Sequence, residues 1–231
     1  MRFVIDGYSG IGGGMSVQYP IHMEIAGRVC VVIGGGRVAE RKAHVLLQAG
    51  AHLIVIAPML TNLLYQEAST GCFFWLAQPY EAGFLQRVRP FLVFCTADNR
   101  EVNRMAAEEA RAAHALVNVA DEPGLSDFFV PASIRRGRFL LTIGTGGLSP
   151  AFSRSLREQL EQAFPPAFGL WIERLAAIRQ EMKEKLPTSD DRQAFWRMAL
   201  SRDIMELVKA GRLNRAEVMI RHAIIDFRPK S

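Results

Sequence analysis

The chain has 231 residues, of which 49% are apolar and 22% are charged, a composition typical of a globular protein rather than a disordered one. No apolar run approaches the roughly 18 residues that a membrane-spanning helix needs, so we expect no membrane partner. The net charge of +5 arises without a dense run of lysine and arginine. This mild and dispersed positive charge favours an anionic small molecule over a nucleic acid as the partner.

Three isolated cysteines, Cys30, Cys72 and Cys95, lie in apolar, strand-like segments and form no CxxC pair. This pattern predicts buried, reduced thiols and neither a disulfide framework nor a zinc site. The five histidines are scattered singly, so no metal site is predicted. Residues 1–18 lack the basic start and long apolar core of a signal peptide. We expect them to form a flexible extension of a cytoplasmic protein.

Strand-like and helix-like segments alternate through residues 19–122. The predicted strands are 29–33, 53–57, 72–76, 91–95 and 116–119, and the predicted helices are 36–48, 59–69 and 99–113. In the first helix we expect Val38, Leu46 and Leu47 to contact the core. Apolar strands that alternate with helices are typical of a parallel sheet covered on both faces. We therefore predict an α/β, doubly wound, Rossmann-type domain.

A different pattern begins after residue 122. Two strand-like segments, 128–134 and 138–143, flank Arg135-Arg136-Gly137, which we interpret as a hairpin turn. Residues 123–148 are therefore predicted to form a small strand-pair region.

A helical C-terminal domain is predicted over residues 149–231. Ser149-Pro150 opens it, because serine is a good helix cap and proline is tolerated in the first helical turn. We expect helix from there to Arg228, with breaks at Pro165-Pro166 and at Pro187.

A glycine loop between the first strand and the first helix matches G-x-G-x-x-A at Gly34, Gly36 and Ala39. Gly34 permits a tight turn, Gly36 lets the backbone approach a pyrophosphate, and Ala39 lets the helix lie close to the sheet. The helix N-terminus would then face the phosphates with free N–H groups. The pattern predicts a dinucleotide site, and the alternative is a glycine turn that serves packing alone.

The second strand ends in Ala57-Pro58, where an NAD site usually carries an acid that binds the ribose hydroxyls. We predict that backbone groups at Pro58 and Met59 bind the ribose instead. No arginine directly follows the strand, so a ribose 2′-phosphate has no predicted partner. This favours NAD over NADP.

Two aspartates follow predicted strands. Asp121 comes just after strand 116–119, and ligands of open α/β sheets bind beyond the carboxyl ends of the strands. Two interpretations remain open for it: a general base, or a turn residue of Asp-Glu-Pro. Asp98 is a second candidate site residue, and we favour it as the cap of helix 99–113.

A second glycine-rich turn, Gly144 to Pro150, leads into the C-terminal helices and offers backbone N–H groups to an anion. Arginine grips carboxylates in bidentate geometry, so a substrate with several carboxylates would suit this surface. The alternative for each arginine is a solvated basic surface. The arginines concerned are Arg135, Arg136, Arg138, Arg154 and Arg157.

Four motifs occur together in a recognisable order. They are Tyr19-Pro20-Ile21, the run VIGGGRVAERK from Val32 to Lys42, Asn118-Val119-Ala120-Asp121, and Gly146-Gly147-Leu148-Ser149-Pro150. In this order they resemble precorrin-2 dehydrogenases of the siroheme synthase family. The resemblance runs from Tyr19 to the C-terminus. It implies NAD-dependent oxidation of precorrin-2 to sirohydrochlorin, a tetrapyrrole with eight carboxylates, in siroheme biosynthesis.

The resemblance also implies roles for individual residues. The essential aspartate of the family matches Asp121, which becomes the predicted general base. A substrate-site position that is serine in some members is Thr145 here. The predicted cofactor-binding residues combine these matches with the glycine loop and one aspartate. They are Gly34, Gly35, Gly36, Arg37, Val38, Pro58, Met59 and Asp98. The predicted substrate-binding residues are Thr145, Gly146, Gly147, Ser149 and Arg154.

The family forms dimers, which implies a homodimer whose interface is built by the strand pair, residues 123–148, and the helical segment. Some members also insert iron, so ferrous iron is a candidate second substrate. Two alternatives stay open at this stage. One is a non-enzymatic NAD-binding sensor module, and the other is a Rossmann oxidoreductase that acts on another polyanionic substrate.

Overall fold

The structure, a computed structural model, describes residues 18–186 and 188–227. The chain divides between Val130 and Pro131 into an N-terminal and a C-terminal compact unit. The predicted extension 1–18, apart from Gln18, and the predicted helix break at Pro187 lie outside the described residues. The finer division at residues 122 and 148 stays a prediction.

The N-terminal unit contains a parallel sheet with the strand order β3-β2-β1-β4-β5. The chain runs outward from β1 to β3 at one edge of the sheet and then crosses to β4 on the other side of β1. This order confirms the doubly wound Rossmann-type fold. Its strands are β1 (Val29–Ile33), β2 (His52–Ile56), β3 (Phe74–Leu76), β4 (Leu92–Cys95) and β5 (Leu116–Val119). Its helices are α1 (Arg37–Gln48), α2 (Asn62–Ser69), α3 (Phe84–Val88) and α4 (Arg100–Ala112).

Strand β1 is buried on both faces because its alternate side chains point into two separate cores. On one face, Cys30 and Val32 pack with the helix α1 residue Ala39. On the other, Val31 and Ile33 belong to the core that contains alanines of α4. Small side chains on both helices let their backbones lie close to the sheet.

Three details of the N-terminal unit differ from the prediction. Val38 is 37% exposed and does not contribute to the core. Cys72 is exposed and precedes β3, whereas Cys30 and Cys95 are buried as expected. Asp98 does not cap α4, because Asn99 takes that position and its Oδ1 accepts a hydrogen bond from the Glu101 amide at 2.9 Å.

Helix α2 begins at Asn62, three residues later than predicted. Thr61 is its N-cap and accepts a hydrogen bond from the Leu64 amide at 3.3 Å. Residues 57–61 are therefore a loop, and this loop contains the predicted ribose-binding positions.

The C-terminal unit contains an antiparallel strand pair followed by helices. The strand pair is β6 (Ala132–Arg136) with β7 (Phe139–Ile143). The helices are α5 (Pro150–Ala163), α6 (Ala167–Lys185), α7 (Ser189–Ala199), α8 (Arg202–Lys209) and α9 (Leu213–Asp226). No helix in the described part of the chain is both long and apolar enough to cross a bilayer.

The hairpin turn is Gly137-Arg138, not Arg135-Arg136-Gly137, because both predicted turn arginines belong to β6. Gly137 takes the left-handed conformation, with φ of 57°, that such a short turn requires. The helical region also contains two breaks that the sequence pattern did not indicate. They lie between α7 and α8 and between α8 and α9.

Helix α6 crosses the end of β6 at very short range. A Cβ atom at Gly169 would lie 2.6 Å from the Arg136 carbonyl oxygen, so only glycine permits this approach. The Arg136 Nε donates to the Phe164 carbonyl at 3.1 Å and ties the strand to the turn before α6. Around this contact the core of the unit is formed by Phe168, Trp171, Ile178, Met182, Phe195, Ile204, Val208 and Ile220.

A buried carboxylate stabilises the N-terminal unit. Glu109 of α4 accepts hydrogen bonds from the Tyr80 hydroxyl at 2.5 Å, the Gly83 amide at 2.8 Å and the Gln86 amide at 3.1 Å. Burial by itself would raise the pKa of Glu109, but these hydrogen bonds outweigh it and lower the pKa below its ordinary value of 4.5. Burial and the neighbouring Glu109 raise the pKa of Tyr80.

We expect Glu109→Gln to lower the free energy of unfolding at pH 7 by roughly 1.5–3 kcal/mol, because an amide cannot accept all three hydrogen bonds. The pKa of Glu109 is lower in the folded state than its ordinary value of 4.5, so its stabilisation is present above that pH. It is lost as the pH falls through the lowered pKa. Urea unfolding at pH 7 and pH 3.5 should show the wild-type advantage shrinking, with the exposed neighbour substitution Glu108→Gln as a neutral control. An advantage independent of pH would contradict this assignment.

Candidate functional site

The glycine loop lies at the carboxyl edge of the sheet, between β1 and α1. Gly34 has φ of 118°, and a Cβ atom there would lie 2.6 Å from the Thr96 carbonyl oxygen at the end of β4. The Gly34 amide donates to the Ile56 carbonyl at 2.9 Å. The turn is therefore packed against the ends of both neighbouring strands, and only glycine fits it.

Gly35 and Gly36 have different surroundings. A Cβ atom at Gly35 would lie 1.9 Å from the Met59 carbonyl oxygen, so this glycine permits the loop of residues 57–61 to lie against it. A Cβ atom at Gly36 would meet open space. Gly36 is thus free to face a ligand, whereas Gly34 and Gly35 are required by the protein itself.

The open side of Gly36 leads into the N-terminus of α1. Gly36 is the N-cap and supplies no side chain to the first amides of the helix. Those amides have no intrahelical partner, because their partners would lie before the helix begins. Arg37 and Val38 are exposed at this end. The arrangement can accept a pyrophosphate through backbone N–H groups and the positive end of the helix dipole.

The loop of residues 57–61 contains no acidic residue, and its tip is exposed to solvent. The Met59 side chain is 79% exposed. Within the described residues, neither the Pro58 carbonyl nor the Met59 amide makes a hydrogen bond. One backbone acceptor and one donor are therefore available next to the glycine loop. The assignment of the ribose to Pro58 and Met59 stays a prediction.

Asp98 lies in the loop between β4 and α4 and is exposed. Asn103 holds this loop: its Oδ1 accepts from the Ala97 amide at 3.0 Å and its Nδ2 donates to the Ala97 carbonyl at 2.8 Å. The loop is thereby fixed while the Asp98 side chain remains at the surface. Its cofactor role stays a prediction.

Asp121 follows β5 at the same carboxyl edge as the glycine loop. It is exposed and has φ of 62°, a left-handed conformation that aspartate tolerates better than most residues. Arg104 donates from Nε to Glu122 Oε2 at 3.2 Å and holds the next residue in place. A shallow recess surrounds these groups and is lined by Arg100, Arg104, Asp121, Glu122, Pro123, Gly124 and Leu125.

The chain that follows Asp121 turns back along β5 and completes this edge of the sheet. The Asp127 Oδ2 accepts from the Val117 amide at 2.9 Å, and the Ser126 Oγ accepts from the Val119 amide at 2.9 Å. Asn118 donates from Nδ2 to the Phe128 carbonyl at 2.9 Å. Asn118 of the Asn-Val-Ala-Asp motif thus holds the returning segment, and Asp121 at the bend has no hydrogen bond or ion pair among the described residues.

The second glycine turn belongs to the C-terminal unit. The Leu148 amide donates to the Thr145 carbonyl at 3.1 Å, and the residues between them, Gly146 and Gly147, have φ of 62° and 82°. Glycine is favoured at both positions because both residues take the left-handed conformation. The Thr145 Oγ1 lies 3.1 Å from the Ser153 Oγ, which joins the turn to α5.

Ser149 caps α5 as predicted, because its Oγ accepts from the Phe152 amide at 3.2 Å, and Pro150 takes the first helical position. As a cap, its hydroxyl already has a partner within the protein. A substrate-binding role for Ser149 and for the preceding turn stays a prediction.

The candidate arginines differ in whether their guanidinium groups already make hydrogen bonds or ion pairs within the protein. Arg136 is bound to backbone carbonyls of Arg135 and Phe164. Arg157 pairs with Glu161 at 2.6 Å and with Glu158 at 3.5 Å. Arg135, Arg138 and Arg154 are exposed, and within the described residues their guanidinium groups make no hydrogen bond or ion pair. These three are the arginines best suited to carboxylates.

Burial makes the two core thiols poor nucleophiles and poor metal ligands. It raises the pKa of Cys30 to about 11 and that of Cys95 to about 12, so both are protonated at neutral pH. Over the ranges 18–186 and 188–227, no three histidine, cysteine, aspartate or glutamate side chains are grouped so that they could hold a metal ion.

Several residues that shape the site were missed from the sequence. Thr96 contacts the glycine loop and Trp75 contacts the loop of residues 57–61 from other elements, and Thr61 joins the second loop to the first. Thr61 had a local signal, since threonine before a helical segment indicates an N-cap. The others have none, because their partners are distant in sequence.

Comparisons with known proteins agree with the division of the chain into an N-terminal and a C-terminal unit. A family model described as putative NAD(P)-binding matches residues 21–132, and one described as sirohaem synthase dimerisation region matches residues 167–224. The second range covers most of α6–α9 and does not include the strand pair. The assignment of residues 123–148 to a dimer interface therefore stays a prediction.

The chain is similar to curated siroheme synthases. It is 34% identical over 198 residues to one from Photorhabdus laumondii, which is 86% of this chain and 42% of the relative. It is 36% identical over 184 residues to siroheme synthase 1 of Aeromonas salmonicida, 80% of this chain and 39% of the relative. The chain thus spans about two fifths of the length of these relatives.

A solved structure, that of SirC, a precorrin-2 dehydrogenase, has a similar fold. The TM-score is 0.70 at 19% sequence identity, over 91% of this chain and 100% of that chain. The fold class predicted from the sequence is confirmed.

The different surroundings of Gly35 and Gly36 allow a test of the glycine loop. Gly35→Ala would drive a Cβ atom into the Met59 carbonyl, so we expect a lower melting temperature of the free protein by several degrees and weaker NAD binding. Gly36→Ala meets open space, so the melting temperature should stay unchanged while NAD affinity falls by about tenfold or more. Thermal unfolding and calorimetric titration with NAD measure both. If Gly36→Ala bound NAD like the wild type, the pyrophosphate would not lie at this glycine.

Proposed function

We infer the function from one premise: this chain belongs to the family of precorrin-2 dehydrogenases and siroheme synthases. The proposed reaction is the NAD-dependent oxidation of precorrin-2 to sirohydrochlorin in siroheme biosynthesis. One observation carries the proposal. An open glycine loop and the free carboxylate of Asp121 lie at the same carboxyl edge of one nucleotide-binding sheet.

The cofactor residues follow from the free backbone groups. We propose that Gly36 and the N-terminus of α1, with Arg37 and Val38, bind the pyrophosphate. Pro58 and Met59 would bind the ribose through the carbonyl of the first and the amide of the second, which have no partner in the described part of the chain. The loop of residues 57–61 offers no cation to a 2′-phosphate, which supports NAD over NADP. NAD, when bound, supplies the acceptor for the hydride.

Asp121 is the proposed general base. Dehydrogenation of precorrin-2 removes one hydride and one proton, so a group must accept the proton as the hydride leaves. The carboxylate of Asp121 is exposed at the sheet edge, and the braced segment after it holds its backbone at the bend. It can therefore accept a proton from the macrocycle without a rearrangement of the chain.

The polyanionic substrate suits groups on the C-terminal unit. We propose that the turn Thr145–Gly147 and the cap Ser149 offer hydrogen bonds, and that Arg154 pairs with a carboxylate. Arg135 and Arg138 are further exposed cations of that unit. Arg157 is a weaker candidate, because Glu161 and Glu158 already neutralise it.

We propose a homodimer in the cytoplasm. The match of a dimerisation region to residues 167–224 supports a second copy of this chain as the partner. Ferrous iron is the proposed second substrate, as in the members of the family that insert iron. It requires a test of its own, since the proposed dehydrogenation does not depend on it.

One assay separates these reactions. Purified protein, precorrin-2 and NAD are mixed without and with ferrous iron, and absorbance is followed at the NADH and sirohydrochlorin bands. We expect NADH and sirohydrochlorin to appear together in equal amounts, and a later decay of sirohydrochlorin only when iron is present. NAD binding without any NADH would favour a sensor module. NADH formed from a different polyanionic substrate alone would reassign the substrate.

Asp121→Asn should bind NAD with wild-type affinity and lower kcat by a factor of about 100 or more. Asparagine tolerates the left-handed conformation and keeps the shape of aspartate, so the bend is preserved while the proton acceptor is lost. Glu81→Gln, an exposed acid in the same unit, is the matched control and should retain wild-type kcat. Wild-type turnover of Asp121→Asn would exclude Asp121 as the base.

The proposed dimer predicts a particle of twice the chain mass in sedimentation velocity at micromolar concentration. Because apolar burial drives stable dimers, the dimer should persist at 0.5 M salt. A single species with the mass of one chain over the whole concentration range would contradict the proposal.

A further inference from the structure

The loop of residues 57–61, here named the ribose loop, is braced at its first residue. The Ala57 carbonyl accepts a hydrogen bond from the indole N–H of Trp75 at 2.9 Å. The Ala57 amide donates to the Leu76 carbonyl at 3.2 Å. Both polar groups of the residue that follows β2 are therefore occupied by β3. The usual position of the ribose acid is a fixed anchor point of the loop.

The last residue of the ribose loop, Thr61, is held by α1 and the glycine loop. Its amide donates to the Gly35 carbonyl at 2.9 Å, and its hydroxyl donates to Glu40 Oε2 at 2.5 Å. The same hydroxyl oxygen accepts from the Leu64 amide and caps α2. Donor and acceptor capacities of the threonine hydroxyl are thus both used.

Glu40 is well placed for this contact. It lies in the first turn of α1, where the helix dipole favours a negative charge. A hydrogen bond to a carboxylate is roughly twice as strong as one between neutral groups. The bond joins positions 21 residues apart in sequence and ties the start of α1 to the end of the ribose loop.

Between these two anchored ends the Met59 carbonyl lies against Gly35, and two other backbone groups of the loop tip remain available to a ligand. Within the described residues the Pro58 carbonyl and the Met59 amide make no hydrogen bond, and Met59 is largely exposed. The loop is held in one place by its ends and by the contact with Gly35, while its tip keeps a donor and an acceptor available. A loop held this way binds its ligand without first being ordered.

We propose that Glu40 is a positioning residue that fixes the ribose loop for NAD through Thr61. In other dinucleotide sites an acid at the end of the second strand binds the ribose hydroxyls directly. Here the acid stands on α1 instead and orders the backbone groups that do so. The proposal rests on the NAD site of the proposed function and names the residue that organises it.

Calorimetric titration of the full chain with NAD tests whether the hydrogen bond between Glu40 and Thr61 links α1 to NAD binding. If the loop without its link takes the binding geometry about one tenth of the time, Glu40→Ala raises the Kd of NAD about tenfold. Glu40→Gln keeps an oxygen that accepts from Thr61, and Thr61→Ser keeps the donor, so both should remain within about threefold of wild type. In turnover, Glu40→Ala should raise the KM for NAD and leave kcat unchanged.

The matched control is Glu101→Ala, which removes an acid from the first turn of α4. It loses the same helix-dipole stabilisation as Glu40→Ala but no bond to the ribose loop, so Glu40→Ala should lower the melting temperature without NAD further, and only Glu40→Ala should weaken NAD binding. If Glu40→Ala does not fold, Thr61→Asp takes its place, because aspartate still caps α2 but repels Glu40. It should raise the Kd at least as much.

Two results would overturn the proposal. One is a Kd of Glu40→Ala, or of Thr61→Asp in its place, equal to that of Glu101→Ala. The other is a Glu40→Gln protein that binds as weakly as Glu40→Ala, since the charge and not the hydrogen bond would then matter. Failure of the proposed function looks different: the wild type would bind NAD, with the variants ordered as above, yet form no NADH with precorrin-2.

Discussion

The close contact between Gly35 and the Met59 carbonyl is the constraint on which the proposed cofactor site depends. It brings the loop after β2 against the loop after β1 at a distance that no side chain at position 35 would permit. The Thr61 amide completes the contact at the Gly35 carbonyl. Because the two loops lie together, the backbone groups proposed to bind the pyrophosphate and the ribose are available side by side. The middle glycine, which the dinucleotide pattern treats as variable, is thus required for the architecture of the site.

The rest of the N-terminal unit supports that contact. Parallel pairing of β1 with β2 and β4 places Ile33 level with Ile56 and Cys95, so the loops that follow these strands start at one edge. Buried polar groups then fix the segments at this edge, as Asn103 does before α4 and Asn118 does after β5. Polar atoms buried in this way must be paired, and their pairing orders the loops that carry Asp98 and Asp121. The two asparagines are buried, whereas the aspartates proposed to act, Asp98 and Asp121, are exposed.

Much of the fold could be predicted, because its signals are local. Strands β1, β2, β4 and β5 are short, mostly apolar runs that alternate with helical segments, and α5 begins at a serine cap followed by proline. Errors arose where a local pattern was ambiguous. Arg135 and Arg136 precede a glycine and were assigned to a turn, but cross-strand pairing with Leu140 and Phe139 keeps them in β6. Asp98 and Asn99 are both good helix caps, and only the backbone course decides between them. The predicted start of α2 at Met59 is too early: Thr61 is a local N-cap signal for the true start, but that Met59 lies against Gly35 has no local signal.

By itself the sequence determined the fold class, the glycine loop, the absence of an acid at the end of β2, and the order of motifs that identifies the family. These are properties of residue type and spacing along the chain. Only the tertiary structure decided which glycine is open to a ligand, which arginines are already paired, and what holds the loop that lacks its acid. Those answers depend on contacts between residues far apart in sequence, such as Glu40 with Thr61 and Trp75 with Ala57. Such contacts arise when helices and strands pack, and they have no periodic signal in the chain.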